Sequence, residues 1–502
     1  MSPPEHTPQS PAALASWLES KYSVTPNGFL PSTEPLAALP DAYYQPWETL
    51  ASSLPKLLQT NTFRDHVNAE LPVLSTCRLQ LEQEWRRAYL ILTFATHAYI
   101  WGGDKPSEHL PPQITVPLLE VSKHLDLPPA ATYAATNLWN FRTTAEGAPF
   151  IDLDALESLV TFTGTPDESW FYAVSVALEC EGGSVIPVMI SAMNAIPNND
   201  LAACRQNIAA LHKLMACIRR VGDILDRMHE RCAPDVFYHA IRPFLAGSKN
   251  MADAGLPRGV FYDQGDGKGD WLGLRGGSNG QSSLIQFFDI VLGVEHKATE
   301  NQNSDLKKHE DKELPFHEEV RAYMPGPHRR FLEYVRSLPS IRDFALQPME
   351  TDGAMGEQDD EEEEEDHELM AERGLLRSTF TRATRVLAGL RNKHLQIVAR
   401  YIILPSRRQQ QQVRAGLDQQ PGQRNIGLAG VAWREPPQNP VAIPKDDGDG
   451  VASGGGSGGE RKRRMSETQL TGTGGTALMP FLKQVRDETV RAGRPDEVTI
   501  EA

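Results

Sequence analysis

A histidine on an apolar helical face is the first residue of this chain whose position suggests chemistry. In the segment LRNKHLQIVARYIIL, His394 shares one helical face with Leu390, Ile397, Val398 and Tyr401. A neutral imidazole on such a face could bind an iron atom whose remaining ligands come from a macrocycle. A core histidine that hydrogen-bonds a backbone carbonyl explains the same spacing, so the pattern alone leaves both interpretations open.

The neighbours of His394 limit which metal site it could belong to. No second histidine follows at i+4 and the chain has no HExxH motif, which argues against a zinc site built from protein ligands alone. Arg391 lies about one turn before the histidine, where its guanidinium could pair with a buried carboxylate or with an acidic group of a cofactor. A single axial histidine beside an arginine is therefore one hypothesis for this face.

A second pair of residues could bind an aromatic amino acid. In PDVFYHAIRPFLAG, Phe237 and Arg242 are five residues apart, on different but neighbouring parts of an α-helical surface. Such a pair could stack on an aromatic ring and grip a carboxylate with two hydrogen bonds. A core phenylalanine next to a surface arginine fits the spacing equally well.

Two glycine-rich segments that also carry hydroxyl groups could contribute to a ligand site. The first, RGGSNGQSSLIQFFDIVLG, precedes a predicted helix, and its glycines permit positive φ and close backbone approach while its serines can cap that helix. No Lys-Ser/Thr follows, and the lysine of GDGKGD is followed by glycine, so neither segment is a P-loop. The second, GTGGT, could close over a site. Each could also be only a turn before a helix.

The elements that must position these residues are predicted to be mainly helices. Apolar residues recur three and four apart in most of the chain, and few segments alternate as strands do. We therefore predict an all-α fold with a small N-terminal helical domain and a larger helical domain. The predicted division is a flexible lead-in (1–40), the small domain (41–160), the large domain (161–405) with an acidic insertion (350–372), a disordered linker (406–470), a Gly/Thr loop with a C-terminal helix of the large domain (471–493) and a tail (494–502).

Composition excludes several classes of protein. The net charge of the 502 residues is −16, but the run DDEEEEED supplies eight of the negative charges, and the mildly acidic remainder makes nucleic acid an unexpected partner. Five cysteines without CxxC spacing argue against a disulfide scaffold. No signal peptide is visible at the N-terminus, and the apolar segment YLILTFATHAYIW is too short to cross a bilayer. We expect a cytoplasmic protein without membrane association.

Five separated segments resemble the indoleamine 2,3-dioxygenase family, in a fungal-type form with insertions. The resemblance covers about residues 45–405 and 472–492. The segments are FYHAIRPFLAG, GGSNGQSSLIQFFDIVLG, RAYMPGPHRRFLEYV, RNKHLQIVARYIILP and GTGGTALMPFLKQVR. Their order along the chain makes the resemblance specific, whereas one of them alone would not.

The resemblance implies an all-α enzyme whose larger domain binds haem b. By position, His394 matches the proximal ligand of the iron. Arg391 matches a residue near a haem propionate, and in the family it pairs with an aspartate at the position of Asp289. Gly277 and Ser278 match the loop that lines the haem and the substrate.

Other positions match the residues around the substrate. Phe237 and Arg242 match those that pack on the indole ring and bind its carboxylate. The positions that match the distal pocket and the mobile loop over the amino acid are Tyr133, Phe171, Ser175 and Thr473. The chain departs from the family pattern at Thr136, Asn137 and Asn279, which make the distal wall more polar.

The implied reaction is the opening of the indole C2–C3 bond of L-tryptophan with O₂ to give N-formylkynurenine, with a reductant for ferric haem and a monomeric enzyme. This is the first step of tryptophan catabolism by the kynurenine pathway toward NAD. One alternative is a haem-binding paralogue that senses haem or a ligand with little turnover. Another is a helical scaffold that recruits partners through the acidic run and RKRR.

Overall fold

The protein is described by a computed structural model that covers residues 7–8, 10–296, 316–348, 360–414 and 478–495. Helices dominate these residues, which confirms the predicted all-α class. The α-helices are α1 (Pro11–Tyr22), α2 (Gln45–Gln59), α3 (Phe63–Glu70), α4 (Glu82–Trp101), α5 (Pro112–His124), α6 (Pro166–Gly183), α7 (Ile186–Ala195), α8 (Leu201–Asp226), α9 (Met228–Arg231), α10 (Pro234–Val236), α11 (Ser283–Val291), α12 (Phe316–Arg321), α13 (Gly326–Ser337), α14 (Ile341–Leu346), α15 (Asp360–Val398), α16 (Leu404–Arg414) and α17 (Leu478–Ala492).

Short strands, π-helical turns and several short 3₁₀ helices connect the α-helices of the described residues. The strands are β1 (His109–Leu110), β2 (Arg142–Thr143), β3 (Leu156–Glu157), β4 (Val260–Gly265) and β5 (Lys268–Leu272). The π-helical turns, in which the backbone hydrogen bonds run from i+5 to i, are π1 (Ala134–Leu138), π2 (Phe237–Ile241) and π3 (Ala399–Ile403).

The N-terminal lead-in predicted at 1–40 is wrong for its described part. Ser10 caps α1 by accepting a hydrogen bond from the Ala13 amide, and Pro11 occupies the first helical position. Leu14, Leu18 and Tyr22 recur every four residues and are buried. The Pro- and Ser-rich composition of this segment obscured that short apolar stripe, which is sufficient to fix α1 on the fold.

Two hydrophobic cores fill the interior. The first is formed mainly by α2, α4, α5 and α6, and it also contains Phe237 and Tyr401. The second is formed mainly by α7, α8, α11, α13 and α15. Residues of both cores line one cavity, so the cavity lies where the two cores meet. The domain boundaries given above stay a prediction.

Helix α15 carries the stripe that contains His394. It packs against α8 and α17, and its buried face includes Leu376, Phe380, Leu387 and Leu390. The predicted acidic insertion is helical from Asp360 onward, as glutamate is a good helix former. The chain continues through π3 into α16, so the predicted linker is helical as far as Arg414. The rest of that linker lies outside the described residues.

A β-hairpin interrupts the helices where the sequence shows GDGKGD. Strands β4 and β5 pair antiparallel, and Asp266 and Gly267 between them both have positive φ. This is the two-residue turn that an Asp-Gly pair favours. Strand β1 adds to β4 in parallel, so the segment forms a small three-stranded sheet that we did not predict.

One apolar stretch, Pro166–Asn198, is long enough to cross a membrane by length and composition. However, 72% of its most apolar window is buried inside the fold. That burial is typical of a core helix. The stretch contains α6 and α7, and α6 forms one wall of the cavity.

Candidate functional site

The cavity between the two cores brings together most of the residues singled out in the sequence. Its lining includes Tyr133, Phe171, Ser175, Phe237, Arg242, Gly277, Ser278, Arg391 and His394. Asp289 lies just behind this wall, paired with Arg391. Thr473 lies outside the described residues, but α17, which follows it in the chain, contributes Leu478, Phe481, Leu482 and Val485 to the lining.

The imidazole of His394 lies at the cavity wall. It forms no hydrogen bond with any described residue, and it is one of the residues that line the cavity. The interpretation of a core histidine bonded to a backbone carbonyl therefore finds no support among the described residues. Burial, followed by the nearby charge of Arg391, lowers the pKa of His394 to about 4, so the ring is neutral near pH 7. A neutral imidazole with an available lone pair suits one axial bond to a metal.

Arg391 is held by a chain of charged groups that reaches α17. Its Nη2 donates to Asp289 Oδ1 at 2.5 Å, and Asp289 Oδ2 lies 3.1 Å from His296 Nε2. The other ring nitrogen of His296 lies 2.8 Å from Glu488 Oε2. Burial alone would raise the pKa of Asp289, but Arg391 and His296 outweigh it and lower that pKa to about 2. Asp289 is thus ionised at neutral pH and fixes the guanidinium beside the cavity.

The π2 turn places Phe237 and Arg242 together, which an α-helix would not do. The Arg242 amide donates to the Phe237 carbonyl, so residues five apart share one face of this turn. Arg242 is 2% exposed, and the Phe237 ring contacts the rings of Phe171 and Tyr401 with centroids 4.9 and 5.8 Å away. Both side chains line the cavity, which agrees with the expectation that they occupy neighbouring parts of the helix surface, although the turn is a π turn and not the α-helix we predicted.

All three π-helical turns border the cavity. π1 contributes Thr136 and Asn137, π2 contributes Phe237, and π3 contributes Tyr401 and Ile402. Such turns occur rarely and are frequent at functional sites, since each one redirects the side chains that follow it. The backbone thus departs from regular helix where side chains must converge on the cavity.

One face of α6 forms a polar gradient along the cavity. Phe171, Ser175 and Glu179 recur every four residues and all line the cavity. Phe171 lies beside Phe237, so Ser175 and Glu179 are roughly one and two turns further from that ring, or about 6 and 12 Å along the helix axis. The wall therefore changes from aromatic near Phe237 to polar at its other end.

Glu179 is a buried carboxyl that sequence reasoning missed. It is 1% exposed, and its Oε1 accepts a hydrogen bond of 2.6 Å from Ser282. Burial raises the pKa of Glu179 to about 7, while the hydroxyls of Ser282 and Tyr133 lower it and so limit the rise. Burial, and then the same carboxyl, raise the pKa of Tyr133. The four-residue repeat of Phe171 and Ser175, extended by one turn, would have located Glu179.

Replacing Glu179 with glutamine is expected to change how stability depends on pH. A folded pKa near 7, above the unfolded value of 4.5, gives the wild type a stability that is full below pH 4.5 and declines as pH rises through about 7. Over this pH range the free energy of unfolding of the wild type should fall by about 3 kcal/mol relative to that of Glu179→Gln. Urea denaturation of both proteins between pH 5 and 8 measures this difference, and parallel profiles would contradict it.

The glycine loop is positioned by contacts rather than by unusual backbone angles. None of Gly276, Gly277 and Gly280 has a positive φ. A Cβ on Gly276 would meet the Leu245 carbonyl at 2.0 Å, so only glycine permits this approach. Gln281 fixes the loop to the opposite wall: its Oε1 accepts from the Tyr133 amide and its Nε2 donates to the Gly276 carbonyl, both at 2.8 Å.

Comparison with known proteins gives a consistent result. A sequence model of the family described as indoleamine 2,3-dioxygenase matches residues 18–492. An indoleamine 2,3-dioxygenase of Penicillium citrinum is 37% identical over 94% of this chain and 88% of its own length. An indoleamine 2,3-dioxygenase of Saccharomyces cerevisiae is 37% identical over 94% of this chain and 92% of its own length. A 6-hydroxytryptophan 2,3-dioxygenase of Fusarium equiseti is 38% identical over 78% of this chain and 87% of its own length.

The family match extends over nearly the whole chain, and it includes both the face that carries His394 and the segment of Phe237 and Arg242. It agrees with the helical architecture that surrounds the cavity. The chain therefore belongs to the indoleamine 2,3-dioxygenase family and is a haem dioxygenase whose cofactor is haem b.

Proposed function

We propose that this enzyme opens the indole C2–C3 bond of L-tryptophan with O₂ to give N-formylkynurenine. This reaction would be the first step of tryptophan catabolism by the kynurenine pathway toward NAD. One observation carries the proposal: a neutral histidine without a hydrogen-bond partner among the described residues borders the same cavity as a buried arginine and two phenylalanines. The histidine can bind the metal of a cofactor, and the arginine and phenylalanines can bind an aromatic amino acid in the same cavity.

The residues of this cavity fit haem b. His394 would bind the iron, and Arg391, fixed by Asp289, would pair with a propionate. Among the described residues, no group of three or more His, Cys, Asp or Glu side chains could hold a metal ion alone, so a macrocycle is the fitting source of the remaining ligands. When bound, haem iron supplies the binding and activation of O₂.

Arg242 and Phe237 would orient the substrate. Burial lowers the pKa of Arg242, yet a guanidinium remains charged in proteins, so a buried one favours an anion such as the substrate carboxylate. The rings of Phe237 and Phe171 would pack against the indole, and both are held by neighbouring aromatic rings. Fixing the amino acid at both ends places its C2–C3 bond in one orientation, which is the main contribution of the chain to the rate.

The cavity wall supplies a dry environment with little fixed charge near the indole. Its lining is predominantly apolar, with Val174, Leu178, Leu245 and Ile397 among the members. Glu179 is partly neutral near pH 7 because of its raised pKa. A peroxidase would require a distal histidine–arginine pair to cleave the O–O bond of a peroxide. Insertion of both oxygen atoms needs no strong acid or base from this wall.

Product analysis with labelled oxygen tests the proposed function. The reduced holoenzyme, supplied with L-tryptophan and ¹⁸O₂, should release N-formylkynurenine that carries two labelled atoms, as measured by mass spectrometry. Incorporation of a single labelled atom would indicate a monooxygenase. A change in the haem absorption spectrum on adding tryptophan, without any product, would favour a ligand-sensing paralogue.

We also propose that the enzyme acts as a cytoplasmic monomer and takes electrons from a reductant to keep its haem ferrous. The body of the chain carries only a moderate negative charge once the acidic run is excluded, which agrees with a soluble catabolic enzyme and disfavours nucleic acid as a partner. All five cysteines are free thiols, as in a reducing compartment.

A further inference from the structure

His296, which lies behind the cavity wall that carries Arg391, has a carboxylate at each of its two ring nitrogens. Its side chain is 10% exposed, with Nε2 3.1 Å from Asp289 Oδ2 and Nδ1 2.8 Å from Glu488 Oε2. A neutral imidazole donates from one nitrogen only, so its other nitrogen would direct a lone pair at a carboxylate oxygen. Both contacts are favourable only when a proton lies between each nitrogen and its carboxylate, which favours the positively charged imidazole.

The charged groups around His296 determine the pH at which it loses that proton. Burial lowers its pKa, but Asp289 and Glu488 outweigh burial and the charge of Arg391, so the pKa lies above its ordinary value of 6.5. The ring of His317 stacks on it with centroids 3.8 Å apart. Burial, and then the charge of His296, lower the pKa of His317 to about 3, so that second ring is neutral near pH 7. The other charged residues described around the same polar cavity of about 270 Å³ are Glu295, Glu318, Arg321 and Arg336.

The contacts of His296 connect α17 with the group that orients Arg391. Glu488 belongs to α17, whereas Asp289 belongs to α11 and binds the guanidinium of Arg391 on α15. Arg391 also contacts α17 directly, since its Nη1 donates to the Val485 carbonyl at 3.3 Å. The same helix contributes four apolar side chains to the lining of the main cavity. Loss of the contact between His296 and Glu488 would therefore loosen one wall of that cavity and the support of the guanidinium beside it.

We propose that His296 and Glu488 are positioning residues for haem: the protonated imidazole holds α17 against the carboxylate that supports Arg391, and the enzyme releases haem more readily once that proton is lost. The inference rests on the proposed placement of a haem propionate at Arg391, and it adds a dependence of haem retention on pH. Because the pKa of His296 is raised in the folded protein, the contact contributes fully below about pH 6.5 and is lost as pH rises through that higher pKa.

The rate of haem transfer to apomyoglobin, which binds free haem tightly, measures this retention. The holoprotein, without tryptophan, is mixed with an excess of apomyoglobin at pH values from about 6 to about 9, and haem absorption reports the transfer. The wild-type rate should rise by about tenfold across one transition above pH 6.5, the effect of losing one hydrogen bond to a charged group. His296→Gln, whose side chain cannot become charged, should transfer haem at the faster rate at every pH.

A nearly isosteric change at Glu488 separates this role from a purely structural one. Glu488→Gln keeps an acceptor for the imidazole but removes the charge, so the midpoint of the transition should move to lower pH by about one unit. A loss of packing alone would change the rate equally at every pH and leave the midpoint unchanged. The matched control is Asp487→Asn, which removes the same charge from the adjacent, exposed position of α17 and should alter neither the rate nor the midpoint.

Hydrogen exchange of the α17 amides in the haem-free protein tests the contact without the cofactor. After correction for the intrinsic pH dependence of exchange, these amides should exchange faster above the transition than below it in the wild type. In His296→Gln they should exchange at the faster rate throughout the pH range.

Two results would overturn the inference. A His296→Gln protein that keeps the wild-type pH profile of haem transfer would assign the transition to another group of the cavity, such as Glu179. A pH response of α17 exchange without one of haem transfer would show that the contact does not act on haem. Both experiments omit tryptophan, so either result would leave the proposed ring opening intact. A holoprotein that shows the transition but opens no indole ring would overturn the proposed function alone.

Discussion

Replacing His394 with alanine should produce a folded protein that no longer retains haem. The imidazole lines the cavity without a hydrogen bond to any described residue, and its pKa of about 4 leaves it ready to bind iron without first losing a proton. Loss of a residue that only orients a metal ligand typically costs 10–100-fold in affinity, so loss of the ligand itself should weaken haem binding by more than about 100-fold. The haem content per chain and the haem absorption band after purification measure this.

Two further variants separate a lost ligand from a damaged fold. His212 is an exposed histidine on α8, and His212→Ala should retain the wild-type haem content. His394→Gly leaves space for free imidazole, which should restore part of the absorption band when it is added to the haem-supplemented protein. A His394→Ala protein with an unchanged band would assign the iron to another residue.

Replacing Arg242 with alanine should reduce kcat/KM for L-tryptophan by roughly 10²–10⁴, with haem content unchanged. The guanidinium is 2% exposed, and removing one partner of a buried ion pair costs about 3–5 kcal/mol because the other charge is left unpaired. The main effect should fall on productive binding, since the indole would still pack on Phe237 but would no longer be held at its carboxylate.

The decarboxylated analogue tryptamine identifies the group that Arg242 binds. Wild type and Arg242→Ala should turn over tryptamine with similar and low efficiency, since neither protein can use a carboxylate that is absent. Arg242→Lys keeps the charge but loses the two-pronged geometry, and it should recover only part of the tryptophan activity. A loss with tryptamine as large as that with tryptophan would indicate that Arg242 supports the fold of π2 instead.

The side chains that depend on helical spacing could be predicted from the sequence. The stripe of Leu390, Ile397 and Val398 was found by its period, and it forms the expected wall beside His394. The pairing of Arg391 with Asp289, which the family resemblance implied, occurs in the structure. Both succeed because a regular helix fixes the relative direction of its residues in advance.

Features that depend on distant contacts could not be predicted. His296 and Glu488 are 192 positions apart, and neither residue alone signals that they meet beside Asp289. Helix α1 was missed because its apolar stripe is short and embedded in polar composition. Asn137 could be recognised as a polar departure, but only the structure shows that its Oδ1 is buried at the cavity without a partner among the described residues.

The π2 turn limits how this protein can evolve. A π turn holds one residue more than an α turn, so deleting a residue between Phe237 and Ile241 would restore regular hydrogen bonding and suit the helix better. Every side chain after the deletion would then rotate by about 100° around the axis, and Arg242 would leave the cavity. A more stable regular helix would therefore require one residue fewer in this segment, whereas a cavity that contains Arg242 requires the extra residue.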